Sequence, residues 1–150
     1  MRGGPVKVTV ALMLLMAAGT PVAAQTVVDG DTLKLDGSTY RLWGIDAPES
    51  HQWCGDYPAG TIATGMLNKL IKGKTVVCEP KTIDRHSRTV AICRANGEDL
   101  GRIMVELGMA WAFARYSRDY AEAEAKAGAK HVGVHGKVCE MPWEWRAQHR

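Results

Sequence analysis

The stretch Thr32-Leu33-Lys34-Leu35-Asp36-Gly37-Ser38-Thr39-Tyr40-Arg41-Leu42-Trp43-Gly44-Ile45 decides the fold class. Leu33 and Leu35 alternate with polar neighbours at period two, as in a strand with one buried face. Asp36-Gly37 supplies the residue types of a two-residue hairpin turn, so Ser38 to Ile45 returns as the second arm. Such a turn fixes the register: position 32 faces 41, and position 31 faces 42. Upstream, Thr26-Val27-Val28 is a strand segment running into Asp29-Gly30.

Working outward, Lys74–Glu79 and Arg88–Arg94 are two further strands rich in β-branched residues, separated by a polar turn centred near Arg85-His86. Folding them as a hairpin puts Cys78 opposite Cys93. Opposed antiparallel residues have Cα atoms about 4.5–5.5 Å apart, which a disulfide spans. Met109–Ala114 is expected as a fifth strand. Helices fill the gaps. Thr61–Lys72 places Ile62, Met66 and Leu70 at helical spacing before Gly73. Asp99–Leu107 aligns Leu100, Ile103, Met104 and Leu107 before Gly108. Asp119–Lys130 is rich in Ala and Glu, with Asp119 and Glu122 as a variant capping pair. The strands before the first helix are antiparallel, which argues against a βαβ sheet. The expectation is an α+β chain, mainly β with helices. An OB-type barrel is one such architecture, and it commonly binds oligonucleotides on its face.

The chain has 150 residues, 46% hydrophobic and 23% charged, which excludes a collagen, a disordered tail and a coiled coil. Arg2 and Lys7 precede the 11-residue apolar run Val8–Ala18, and Val22-Ala23-Ala24 offers small residues for cleavage. Residues 1–24 therefore read as a secretory signal peptide and 25–150 as one domain. The run is well short of the roughly 20 residues of a spanning helix, so no membrane association is expected after cleavage. The expected location is periplasmic or secreted, and the expected state a monomer. Without Arg2 and Lys7, 17 basic residues face 16 acidic ones, so any attraction to nucleic acid must be local. Export favours disulfides, and the four cysteines form no CxxC pair. With Cys78 and Cys93 joined, Cys54 and Cys139 pair by elimination.

The polar residues cluster at one end of the first hairpin. Arg41 lands within about one residue of Asp31 across the turn. Asp46 and Glu49 follow in Ile45-Asp46-Ala47-Pro48-Glu49, where Pro48 stops the strand. Carboxylates without nearby Cys or His suit a hard cation such as Ca²⁺ or Mg²⁺, though the spacing is not that of an EF-hand. A guanidinium beside a metal suits a phosphodiester. The same residues also read as structural: Asp29 and Asp31 in a turn, Asp46 in an Asx-turn before Pro48.

Asp29-Gly30-Asp31-Thr32-Leu33 followed by Tyr40-Arg41-Leu42-Trp43-Gly44-Ile45-Asp46-Ala47-Pro48-Glu49 resembles the signature of the staphylococcal nuclease (thermonuclease) family. Asp84-Arg85-His86-Ser87-Arg88-Thr89-Val90-Ala91 resembles its second segment, and the similarity extends from about Thr26 to Ala127. The resemblance implies a five-stranded OB-fold barrel with three helices and a Ca²⁺-dependent phosphodiesterase acting on DNA and RNA. It implies Asp31, Asp46 and the Ala47 carbonyl as calcium ligands, Glu49 as the group serving the attacking water, and Arg41 and Arg88 as phosphate-binding guanidiniums. Two features depart from the family. His86-Ser87 stands where Tyr-Gly is usual, and Gly133-Val134-His135-Gly136 lacks a tryptophan.

Arg85, His86 and Trp111 are further candidates for substrate binding, with Trp111 read either as a base-stacking platform or as a buried strand aromatic. Trp143 and Trp145 are expected to pin the C-terminal tail through their apolar area. Two other classes of function stay open on the sequence: a non-catalytic nucleic-acid-binding or envelope-assembly OB module, and a metal-free ribonuclease using His86.

Overall fold

The computed structural model describes residues 24–149 together with Met1 and Gly4. The apolar run and cleavage motif of the expected signal peptide lie outside the described residues, apart from Ala24. Strands β1 (Gln25–Asp29), β2 (Thr32–Leu35) and β3 (Ser38–Leu42) form an antiparallel meander. Asp36 and Gly37 both take positive φ, 48° and 82°, as the two-residue turn requires. Thr32 lies opposite Arg41, the register the turn dictates.

The chain continues through β4 (Ile45–Asp46), helix α1 (Ala59–Ile71), β5 (Val76–Ile83), β6 (Thr89–Ala95), β7 (Glu98–Asp99), α2 (Leu100–Glu106), β8 (Trp111–Ala112), α3 (Ala121–Ala129), a 3₁₀ turn (Gly133–Gly136) and α4 (Pro142–Gln148). The main sheet runs β1-β2-β3-β6-β5, with β7 added on β6, and β4 pairs separately with β8. This is the mixed α+β, OB-like arrangement expected. One pairing differs from the antiparallel reading: β3 and β6 are parallel, Tyr40 opposite Thr89. The crossover through α1 and β5 makes that possible, because a parallel pair needs a long connection. The fifth strand is shorter than expected. Met109 and Ala110 are buried in the core but only Trp111 and Ala112 make ladder bonds.

Both disulfides are as expected. Cys78 and Cys93 are register partners and bonded, and Cys54 joins Cys139 across 85 residues. The core gathers Leu33, Leu42, Ile45, Leu67, Leu100 and Met104, all essentially inaccessible. On α1 the fully buried stripe is Ala59, Ala63, Leu67 and Ile71, not Ile62, Met66 and Leu70, which are partly buried beside it. The physical reason is close approach: Gly30 lies so near that an added Cβ would sit 2.8 Å from the Cβ atoms of Ala47 and Ala63. A small residue is therefore required at Ala63, and the stripe that carries it, with Leu67 and Ile71 further along, is the one buried. On α2, Leu100 and Met104 are buried, but Leu107 lies past the helix end and is exposed.

The Asp119–Glu122 capping pair does not form. Tyr120 occupies the N-cap of α3 without a side-chain bond, and Asp119 instead accepts from the Trp43 indole at 3.1 Å. A fourth helix, α4, stands where only a tail was expected. Pro142 opens it at its first position, where a missing N–H costs nothing. Of its two tryptophans only Trp143 pins it, packing against the Cys54, Ala59, Trp111 and Val134 cluster. Trp145 stacks on His149, ring centroids 4.1 Å apart.

Candidate active site

The end of the β2–β3 hairpin places Asp31 beside Arg41, and the β4 ladder to β8 places Asp46 on the same side. Arg41 joins them: its Nη1 donates to Asp31 Oδ1 at 2.6 Å and its Nη2 to Asp46 Oδ1 at 2.7 Å. Both carboxylates are buried, Asp46 fully. Asp31 also accepts from the Thr32 hydroxyl and, at 2.9 Å, from the Ala47 amide. Burial is the largest influence on Asp31 and pushes its pKa up to about 7, against the pull of Arg41; the negative charges of Asp29 and Asp46 add to the rise. Burial likewise opposes the charge on Arg41, but Asp31 and Asp46 outweigh it and hold the guanidinium above its ordinary pKa.

Glu49 reaches the same cleft from the loop after Pro48. Its amide donates to the buried Gln52 side chain at 3.1 Å, and the Gln52 amide nitrogen donates to the Glu140 carbonyl at 2.7 Å. Gly60, at the start of α1, lies against this loop. A Cβ there would fall 1.8 Å from the Glu49 carbonyl oxygen, so only glycine permits the approach.

The opposite wall is the β5–β6 turn. Asp84 organises it by accepting from the His86 and Arg88 amides, at 2.9 and 3.0 Å, and from Arg88 Nε at 2.8 Å. Burial raises the pKa of Asp84, but these bonds outweigh it and leave the carboxyl below its ordinary value. Arg88 lines the cleft, and its Nη1 has no protein partner among the described residues. Arg85 and His86 also face the cleft, with Arg85 Nε donating to His86 Nε2 at 3.1 Å. The cleft, about 780 Å³, thus brings together Asp31, Arg41, Ala47, Glu49, Arg85, His86 and Arg88.

Trp111 does not join them. It is 6% exposed, paired with Asp46 in the β4–β8 ladder, and packed edge-on against His135. The base-stacking reading of Trp111 is therefore corrected to a core aromatic. The aromatic wall of the cleft is Phe113, Tyr116 and Trp143, with centroids 5.1 and 5.3 Å from Phe113.

One residue in the site was not singled out from the sequence. Arg146, on α4, donates Nη2 to Asp46 Oδ2 at 2.7 Å, and Nη1 to Glu49 Oε1 at 2.6 Å and to Asp46 Oδ1 at 3.1 Å. Its bond to Asp46, and then that to Glu49, hold its pKa above the ordinary arginine value despite partial burial. A signal for it existed. Once Cys139 is paired with Cys54, five residues beyond Glu49, a basic residue seven positions after Cys139 is within reach of the site.

Among the described residues no cluster of three or more His, Cys, Asp or Glu side chains is arranged as a metal site. Two buried carboxylates drawn onto one guanidinium are nonetheless hard oxygen donors, compatible with a cation that takes its remaining ligands from carbonyls and water. They do not suit a soft-ligand metal. No helix among the described residues is long and apolar enough to cross a membrane.

Comparison with known proteins gives this arrangement its context. Residues 39–135 match the family described as staphylococcal nuclease homologue. The chain is 35% identical to the staphylococcal-like nuclease CAN1 of Arabidopsis thaliana over 73% of its own length, but spans only 33% of that protein. It is 34% identical to an uncharacterized endonuclease of Haemophilus influenzae, covering 83% of this chain and 71% of the relative. It is 30% identical to a micrococcal nuclease of Shigella flexneri, covering 80% and 76% respectively. Asp31 and Arg146 fall outside the matched segment; Arg41, Asp46, Glu49 and Arg88 fall within it. The chain belongs to the family of staphylococcal nuclease homologues.

Proposed function

We propose that this chain is an exported, calcium-dependent nuclease that hydrolyses phosphodiester bonds in DNA and RNA. The observation that carries the reading is the convergence of Asp31, Arg41, Glu49 and Arg88 in one cleft, with the fully buried Asp46 bonded to Arg41 behind its wall. Nucleic-acid binding alone would not place a carboxylate such as Glu49 where it would repel a phosphate. Relatives named as nucleases support the substrate class, and the amino-terminal sequence with two disulfides supports export.

Asp31, Asp46 and the Ala47 carbonyl would hold the calcium ion, which when bound supplies charge neutralisation at the phosphate. Arg88, steadied by Asp84, presents Nη1 to a phosphoryl oxygen. Arg41 adds a second positive group, and the two together favour the extra negative charge of five-coordinate phosphorus. Glu49 accepts a proton from the water whose oxygen attacks phosphorus. The bond from phosphorus to the leaving sugar oxygen breaks, and that oxygen takes a proton from solvent. Phe113 and Tyr116 offer apolar faces to a nucleoside beside the cleaved bond.

The test is to incubate the chain lacking residues 1–24 with plasmid DNA and with RNA, in Ca²⁺ or in chelator. Cleavage of both substrates in Ca²⁺ alone is expected. Cleavage that persists in chelator would point to the His86 mechanism, and binding without cleavage to a non-catalytic module.

A further inference from the structure

Arg146 occupies both oxygens of Asp46 and one oxygen of Glu49 at once. A carboxylate offers about four lone-pair positions. On Asp46, Oδ1 accepts from Arg41 and Arg146, and Oδ2 accepts from Arg146. Three of the four positions on Asp46 are therefore taken, leaving one on Oδ2, and a guanidinium charge stands where a cation would have to come. We propose that Arg146 is a positioning residue that fills, as a built-in cation, the place on Asp46 and Glu49 that a divalent cation requires. Calcium binding then takes place by exchange with this guanidinium, and Arg146 sets the calcium threshold of the site. The proposal rests on the calcium reading given above.

Arg146, rather than Arg41, is the group that gives way. Arg41 lies on β3, is held by Asp31 as well as Asp46, and its side chain is 18% exposed; that of Arg146 is 32% exposed. Arg146 rides on a helix of only seven residues. The described ties of this segment are the Cys54–Cys139 disulfide, the Gln52–Glu140 bond and the packing of Trp143. Withdrawal of one side chain, or a small shift of the helix, breaks no strand pairing. Charge points the same way. Asp31, Asp46 and Glu49 face Arg41 and Arg146, so removing Arg146 leaves a more negative site for a cation to enter. When calcium leaves, Arg146 returns and spares Asp46 the cost of a buried carboxylate with too few partners.

Isothermal titration of CaCl₂ into the chain lacking residues 1–24 and into Arg146→Met tests this without reference to activity. Arg146→Met, which keeps an unbranched apolar stem and removes the charged fork, should bind calcium about tenfold more tightly. Arg146→Lys, with a charge but no fork, should fall between the two. The tryptophan emission of the wild type should change on calcium addition, because Trp143 and Trp145 flank the displaced helix face, and should change less in Arg146→Met. Equal or weaker calcium affinity in a folded Arg146→Met overturns the proposal while leaving the calcium site standing. If Arg146→Met fails to fold, Arg146→Lys decides: affinity no tighter than the wild type overturns it. Absence of calcium binding in every form overturns the calcium reading itself, and this proposal with it.

Discussion

Arg88 is anchored to Asp84 by two nitrogens on a single oxygen: Nε and Nη2 each lie 2.8 Å from Oδ2. The other oxygen of Asp84 holds the Arg88 and His86 amides, so one carboxylate fixes both the turn and the direction of the guanidinium. This division of labour leaves Nη1 for the cleft. It also explains how a turn containing His86-Ser87, with Ser87 at a φ of 60°, still presents Arg88.

Replacing Asp84 by asparagine should therefore reduce turnover about tenfold without unfolding the protein, because the backbone bonds to Oδ1 survive while the NH₂ that replaces Oδ2 cannot accept from Arg88. The pH dependence carries a sign. The carboxyl of Asp84 lies below its ordinary value of 3.8 in the folded chain. Its contribution to stability is thus present above the unfolded value and is lost as pH falls through the folded one. Urea unfolding of wild type and Asp84→Asn from pH 7 downward should show two curves that stay apart above about pH 4 and approach each other as pH falls below 3.8.

Gly60 offers a test of how α1 positions Glu49. In Gly60→Ala the new methyl would meet the Glu49 carbonyl, 1.8 Å from its ideal position, and the atoms it meets are backbone and cannot swing aside. The loop or the helix start must move, a misfit of the kind that costs about 1–3 kcal/mol. The variant should unfold at lower denaturant and lose more activity than its stability explains. Ala at Gly65, where nothing lies within 4 Å, is the control and should be neutral or stabilising.

The two disulfides should differ in weight. In the chain-entropy account, opening Cys78–Cys93 by a double alanine change costs about 3 kcal/mol, and opening Cys54–Cys139, with its longer loop, about 4–5 kcal/mol. Denaturant curves of the two double variants check the order. Non-reducing peptide mapping of the oxidised protein should return these two pairs, and a Cys54–Cys78 peptide would contradict them.

Much of this was legible in the chain because short-range rules decided it. Asp36-Gly37 admits one hairpin register, which placed Arg41 by Asp31 and Asp46 in reach. The two β-branched runs ending in cysteine allowed one natural pairing. What escaped depended on contacts far apart in sequence. Ile62, Met66 and Leu70 are more apolar than Ala59 and Ala63, yet the approach of Gly30 to α1 selected the stripe that has Ala63 at the contact. Trp111 stayed open between a stacking platform and a buried aromatic because composition does not reveal which face of a two-residue strand is covered, here by Ala59 and Val134. Arg146 is 100 residues from Asp46, and the Cys54–Cys139 staple, the Gln52–Glu140 bond and the packing of Trp143 bring it home. The capping pair failed for a local reason: Tyr120 donates its hydroxyl to Asp99 across the interface with α2, which fixes where α3 begins.

The decisive variants concern the groups that meet the phosphate. Arg88→Ala removes a donor aimed into the cleft, and loss of one such donor typically costs roughly 3–4 kcal/mol, or ~10²–10³ in turnover. Glu49→Gln keeps the size of the side chain and its amide bond to Gln52 but cannot take a proton, so turnover should fall while nucleic-acid binding survives. Asp31→Ala should raise the calcium needed for half-maximal rate, since a buried oxygen donor is gone. His86→Ala should matter least, because His86 is exposed, its ring accepts from Arg85, and no step of the scheme uses it. Initial rates on DNA across a calcium titration separate these effects: Arg88→Ala and Glu49→Gln lower the plateau, and Asp31→Ala shifts the midpoint. Full plateau rates in Arg88→Ala or Glu49→Gln would sink the mechanism. Activity that survives chelation and vanishes in His86→Ala would replace it with histidine chemistry.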